Sequence, residues 1–188
     1  MEFHALTEDR WPHLVQLFGP NGAYSGCWCM WNRQTNSEFD AHHGDDNRSA
    51  LHALISERPP GLLAYEDEQP IGWISLGPYE DFSRLARSPV ARPVADGVAG
   101  AAGPIWAITC FVIRRDRRGT GVATALLDAA VAYAAAQGAS VVQAYPLDPE
   151  GTADNSSAWM GLASMFEAAG FTEIARRRPT RPVMHKTL

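Results

Sequence analysis

Ile105-Trp106-Ala107-Ile108-Thr109-Cys110-Phe111-Val112-Ile113 runs directly into Arg114-Arg115-Asp116-Arg117-Arg118-Gly119-Thr120-Gly121-Val122-Ala123. An alanine-rich run from Thr124 to Gln137 follows, and Gly138 closes it. The first block is apolar, β-branched and aromatic, the composition of a buried strand. The last repeats apolar residues at Val122, Leu126, Leu127, Ala130, Val131 and Ala134, one face of a helix. Gly138 is a natural stop for that helix. Where strand meets helix, the first helical turn presents unpaired backbone N–H groups and the positive end of the dipole. Gly119 and Gly121 have no β-carbon, so a ligand can come close to the backbone. Four arginines crowd the same turn. Strand, arginines, glycines and helix in this order predict a site for a diphosphate. It is not the dinucleotide fingerprint, which needs three glycines early in a βαβ unit, and no Gly-Lys-Ser/Thr of a Walker loop occurs in the chain.

The segment Arg118-x-x-Gly121-x-Ala123, between its strand and its helix, resembles motif A of the GNAT superfamily of N-acetyltransferases, whose consensus is Gln/Arg-x-x-Gly-x-Gly/Ala. Downstream, Phe166-Glu167-Ala168-Ala169-Gly170-Phe171 is similar to the helix-to-strand junction that ends that family's motif B. The two stand in the family's order and separation.

Composition bounds the rest. At 188 residues and 46% hydrophobic, the chain is long enough for one domain with a full core. Six tryptophans and only 20% charged residues argue against disorder. A net charge of −5 argues against general nucleic-acid binding and suits a cationic acceptor such as an amine. Three cysteines, two of them in Cys27-x-Cys29, make no disulfide framework. The start of the chain reads as no signal peptide and no apolar run reaches a membrane span, so the expected compartment is a reducing cytoplasm.

Along the chain, residues 2–6 alternate as an edge strand. Thr7 is placed to cap a helix carrying Trp11, Leu14, Val15, Leu17 and Phe18, with Pro12 in its first turn and Gly19-Pro20-Asn21-Gly22 stopping it. A polar stretch through Glu38 and His42-His43 leads to a second helix over 46–57. Residues 61–65 and 71–76 read as a hairpin. From 77 to 103 lies a long excursion rich in proline and glycine, with one helical turn near 82–86. The central strand and helix follow, then a strand over 140–145 ending at Pro146. Asn155-Ser156-Ser157 is placed to cap a helix over 158–169, and strands over 171–177 and 183–187 finish the chain. The order is β-α-α-β-β-β-α-β-α-β-β. It resembles the GNAT order, which implies an α/β fold with a mixed, mostly antiparallel sheet of about seven strands, about four flanking helices, and a single domain over 1–188.

The resemblance implies acyl-CoA phosphates on the backbone N–H groups of Arg118, Gly119, Thr120, Gly121, Val122 and Ala123, with Thr124 next. It implies pantetheine pairing along Phe111, Val112 and Ile113, where the two parallel strands splay. It further implies transfer of an acetyl group from acetyl-CoA to a primary amine of a small molecule or peptide, by direct attack in a ternary complex and without a metal. Two positions depart from the family pattern. Phe166 stands where many members carry a tyrosine that protonates the departing thiolate, and Trp159 stands where an asparagine is common. The loss of that acid motivates an alternative, a non-catalytic acyl-CoA sensor or partner module on the same scaffold.

Tyr145, at its strand's end, is a replacement acid or a half-buried aromatic. Asp148 is a base or a turn residue before Pro149. Tyr79, at the mouth of the long excursion, is a further donor. Cys110 is an acyl-cysteine candidate or a core residue. Cys27, Cys29, His42 and His43 match no usual zinc spacing. Trp28 and Trp31 either line an acceptor pocket or pack in the core. Asp45 and Asp46 either hold a cationic acceptor or cap the second helix. Arg176, Arg177, Arg178 and Arg181 either reach the adenosine 3′-phosphate or solvate a strand edge. The excursion over 77–103 marks a dedicated pocket or a homodimer contact.

Overall fold

A computed structural model describes residues 1–92, 103–149 and 158–188. Its strands are β1 (Glu2–Ala5), β2 (Gly61–Glu66), β3 (Gln69–Pro78), β4 (Ile105–Ile113), β5 (Val141–Ala144), β6 (Thr172–Arg178) and β7 (Arg181–Thr187). The helices are α1 (Trp11–Phe18), α2 (Asn36–Ala41), α3 (Asp45–Leu54), α4 (Ser83–Arg87), α5 (Val122–Ala136) and α6 (Ala163–Ala168). One seven-stranded sheet has the order β1-β2-β3-β4-β5-β7-β6. Every pairing is antiparallel except β4 with β5.

The hairpin of β2 and β3 turns on Asp67 and Glu68, both in left-handed backbone. That is the two-residue turn whose twist suits flanking strands. The turn is therefore shorter than the acidic stretch suggests, and β3 runs on through Pro78 into the expected excursion. One turn of 3-10 helix (Tyr79–Asp81) and α4 follow, so the predicted helical turn is present. Residues 93–102 of the excursion and the Asn155-Ser156-Ser157 cap lie outside the described residues.

α5 buries Val122, Leu126, Leu127, Ala130 and Ala134, the predicted stripe apart from Val131, which is partly buried. Its first turn seats closely on the sheet because Gly72 has no side chain: a β-carbon there would lie 2.9 Å from both Val122 and Leu126. Ile74, Ile108, Phe111 and Phe166 complete this face. The opposite face carries α1 and α3 over Leu63, Trp73 and Cys110, and beside them α4 over Ala107, Tyr145 and Val183.

A bulge in β4 sorts these faces. Ser75 pairs with Cys110 and Leu76 with Ile108, so Thr109 opposes no residue of β3. The extra residue reverses the alternation. Ile108 and Phe111 both face α5, while Cys110 faces the other way.

Beyond the bulge β4 leaves its parallel neighbour. Pairing with β5 covers only Ile105–Val141 to Ile108–Ala144, and β4 continues to Ile113 paired with β3 alone. The chain itself bridges part of this wedge. Phe111 N–H donates to the carbonyl of Trp159 (2.7 Å) on one side, and Leu147 N–H donates to that of Gly161 (2.9 Å) on the other. This extended crossing is why α6 begins at Ala163, later than the sequence pattern predicts.

Candidate active site

At the α5 face the site is backbone. Gly119 and Gly121 adopt positive φ (74° and 87°), and apart from their own chain neighbours no atom of the described residues lies within 4 Å of a β-carbon built on either. Gly121 precedes the helix with no side-chain cap, and no acidic residue occupies the first turn. Uncapped amides at the end of a helix dipole, with open space before them, suit an anionic group. The arginines of the turn contribute less charge than their number suggests. Arg114 pairs with Asp116 (2.7 Å), and Arg117 with Glu66 (2.6 Å). Arg118 Nε donates to the Ile113 carbonyl (3.3 Å), and the Thr120 hydroxyl donates to that of Arg117 (2.7 Å). The loop's own bonds thus fix it, and what it presents at the uncapped start of α5 is backbone, from Gly119 to Thr124.

The strand-edge expectation needs amendment at one residue. Phe111 N–H is already bonded to Trp159, and the backbone groups of Val112 turn the other way, toward β3, so the free edge of β4 is left at the Phe111 carbonyl and at Ile113. Phe166, in the place of the family's tyrosine, is fully buried and meets Phe111 and Phe171 edge-on. It is core, and offers no proton.

At the opposite face is a cavity of about 610 Å³, within the usual range for a small-molecule site. Trp31, Tyr145 and Trp159 wall it, and among the described residues Arg84, Arg87, Arg178 and Arg181 are its charged lining. It spans the α1–α2 connection, α4, the end of β5 and the β6–β7 turn. Thr35 caps α2 in a reciprocal capping box with Glu38. The Thr35-x-x-Glu38 spacing was a readable signal for this helix, which the sequence reading passes over. Arg84 braces the same wall: its guanidinium stacks 3.8 Å over the Trp31 ring and donates to the carbonyls of Trp31 and Thr35 and to Asn36. Asn32 Nδ2 donates to the carbonyl of Thr109 (3.4 Å), fastening this connection to the bulge in β4.

Arg33 fixes its base. Nη2 reaches the carbonyls of Pro60 (3.0 Å) and Leu76 (3.2 Å), Nη1 stands 3.6 Å from Asp81, and the group lies over Phe82. Burial pulls the Arg33 guanidinium down to about 10.

The predicted acceptor residues divide. Trp31 is 39% exposed and on the cavity, whereas Trp28 is 4% exposed and stacks on Trp11 inside the α1–α3 core. Trp28 is therefore a packing residue. Tyr145 lines the cavity, its hydroxyl donating to Gln143 Oε1 (3.1 Å), and burial holds the phenol well above its ordinary value. Tyr79 packs beside it, its hydroxyl pushed up to about 12 by burial. Asp148 lies outside the lining and pairs with Arg176 (2.7 Å), which takes its carboxylate away from an amine. Arg176 is likewise engaged with Glu173. Asp45 and Asp46 stand in the first turn of α3 and off the cavity, and neither is the cap: the N-cap is Gly44, with no side-chain cap bond. Cys110 meets Cys29, sulfur to sulfur at 3.1 Å in the core, which no spacing argument anticipates.

A sequence model of the acetyltransferase (GNAT) family matches residues 24–159. The chain belongs to that family. This GNAT domain also shares its fold with solved structures at low identity. The ribosomal-protein-alanine N-acetyltransferase of Brucella melitensis aligns over 100% of both chains, with 17% identity and a TM-score of 0.57. The paia N-acetyltransferase of Thermoplasma acidophilum, solved in complex with coenzyme A, aligns over 100% of this chain and 98% of its own, with 12% identity and a TM-score of 0.54. An agmatine N-acetyltransferase mutant aligns over 100% of this chain and 98% of its own, with 10% identity and a TM-score of 0.58. No curated protein matches the sequence at a significant level.

Proposed function

We propose that the protein transfers the acetyl group of acetyl-CoA to a primary amine, both substrates being bound at once. One observation carries this reading: the uncapped amides of α5 and the arginine-lined cavity lie on opposite faces of the sheet, on either side of the wedge where β4 leaves β5. A donor held by its phosphates at Gly119–Thr124 reaches the wedge from one face, and an amine in the cavity reaches it from the other. Holding both reactants there makes attack effectively intramolecular.

The amine must lose a proton before attack, its ordinary pKa being near 10.4. No Asp, Glu or His lines the cavity among the described residues. The arginines supply the alternative: a like charge nearby disfavours the ammonium and releases its proton to solvent. Tyr145, protonated across the neutral range by its burial, is the residue on the cavity wall able to donate to the departing thiolate.

Two measurements test this. Acetyl-CoA at one hundred times its Kd stabilises the fold by about 2.7 kcal/mol, a rise of roughly 5 °C or more in melting temperature. A panel of amines then releases free CoA thiol. No shift and no calorimetric heat refutes the reading. Binding without turnover on any amine favours the sensor instead, a reading that buried Phe166 in the tyrosine's place supports.

A further inference from the structure

The chain as a whole carries −5, yet its cavity is lined by four arginines and, among the described residues, by no carboxylate. Arginine concentration of this kind in an acidic protein creates a local field opposite in sign to the surface. Glu38 stands close enough to feel Arg87, but its carboxylate is occupied by the backbone and hydroxyl of Thr35 (2.8 and 2.7 Å). The arginines converge from separate elements: Arg84 and Arg87 on α4, Arg178 at the end of β6, Arg181 at the start of β7. Arg84 is committed to bracing Trp31. Arg87 and Arg178 stand exposed, each on its own element, and Arg181 is partly buried, so that burial lowers its pKa. A guanidinium in such a partly desolvated site gains most from a planar anion that accepts two parallel hydrogen bonds. The remaining walls are aromatic and apolar: Trp31, Trp159, Leu85, Met160.

We infer that the acceptor is an amine that also carries a carboxylate and an apolar body, of amino-acid to dipeptide size, with Arg87 and Arg178 holding the carboxylate against the Trp31 and Trp159 walls. This rests on the acyl-transfer reading above and reverses the cationic acceptor that the chain's net charge suggests. The net charge describes the outer surface, whereas the lining describes what the amine meets. One carboxylate leaves the cavity net positive, so the field that releases the amine's proton persists with the acceptor in place.

The test compares L-phenylalanine, L-phenylalaninamide and phenethylamine, which share an amine and a ring and differ in the carboxylate. The expected result is kcat/KM at least tenfold higher for L-phenylalanine. R87A and R178A then each raise its KM several-fold and leave the KM for acetyl-CoA unmoved. Equal use of the three, or a preference that survives both substitutions, overturns the proposal. If acetyl-CoA binds but none is acetylated, titration of tryptophan fluorescence replaces turnover: L-phenylalanine must bind at least tenfold tighter than its amide, and equal binding overturns the proposal. If acetyl-CoA itself does not bind, the acyl-transfer reading fails alone, and the same titration still decides whether the cavity selects a carboxylate.

Discussion

The backbone N–H of Phe111 donates to the carbonyl of Trp159 across 2.7 Å, so part of the open edge of β4 is closed by the chain's own β5–α6 connection. A buried amide with such a partner exchanges only when that contact opens. In hydrogen exchange the Phe111 amide is expected to be protected at least a hundredfold over an exposed one, with and without acetyl-CoA. Fast exchange in the free protein would show that the edge is open after all.

Gly121 sits at φ 87° immediately before α5, with free space where a β-carbon would go. Alanine there costs about 1–2 kcal/mol in backbone strain and puts a methyl where the acyl-transfer proposal places the phosphates. Gly138, at the other end of the helix with φ 82° and equally open surroundings, is the control. G121A and G138A should lose similar melting temperature, whereas only G121A should weaken acetyl-CoA binding, by tenfold or more in calorimetry. Equal affinities for the two variants would remove the helix start from the binding site.

How far the sequence speaks depends on whether the signal is local. The β4–α5 unit was legible because both periodicities and both glycines fall within one continuous stretch. α2 was legible too, through Thr35-x-x-Glu38, but its polar composition gives no apolar stripe. The site is different. Arg87 and Arg178 come to line one cavity only once α4 has packed on the sheet to which β6 belongs, and Cys29 reaches Cys110 from 81 residues away. The bulge at Thr109 has no sequence mark, yet it decides which face each β4 side chain takes. Trp28 and Trp31 look alike in sequence, and a left-handed turn at Trp28 and Cys29 sends one inward and leaves the other on the cavity.

Burial pushes the Cys27 thiol from 9.0 up to about 11. At pH 8 roughly one molecule in a thousand then carries the thiolate, which is the nucleophile. Native protein should react very slowly with a disulfide reagent, ever faster up to pH 11, and release three thiols on unfolding. The same shift has a stability consequence. Because the folded pKa is the higher, its contribution is complete below pH 9 and is lost as pH rises to about 11, by at most about 2.7 kcal/mol. Rapid native labelling at pH 8 contradicts this.

Arg33 joins the α1–α2 connection to the carbonyls of Pro60 and Leu76 and to Asp81 from a fully buried position. Removing it leaves polar groups without their partner beneath the cavity wall. R33A is expected to lose about 2–4 kcal/mol in urea unfolding, and R33K most of that, since one ammonium cannot span the fork. D81N should lose less, because Asp81 is 25% exposed and water replaces the guanidinium. A fully stable R33A would mean that the loop is anchored elsewhere.

Tyr145 is the sharpest test of chemistry. Its ring belongs to the buried cluster that holds Phe82 and Met160, and its hydroxyl meets Gln143. Phenylalanine keeps the packing and removes only the proton. Y145F should lose about 1 kcal/mol of stability for the hydrogen bond, bind acetyl-CoA as before, and lose tenfold or more in kcat. The phenol's raised pKa adds a second criterion. A group held protonated well beyond pH 10 contributes no falling limb to the rate below that pH, so the wild-type profile should stay flat there once the amine is free. A kcat for Y145F equal to wild type would return Tyr145 to the core, and the thiolate would then leave protonated by solvent.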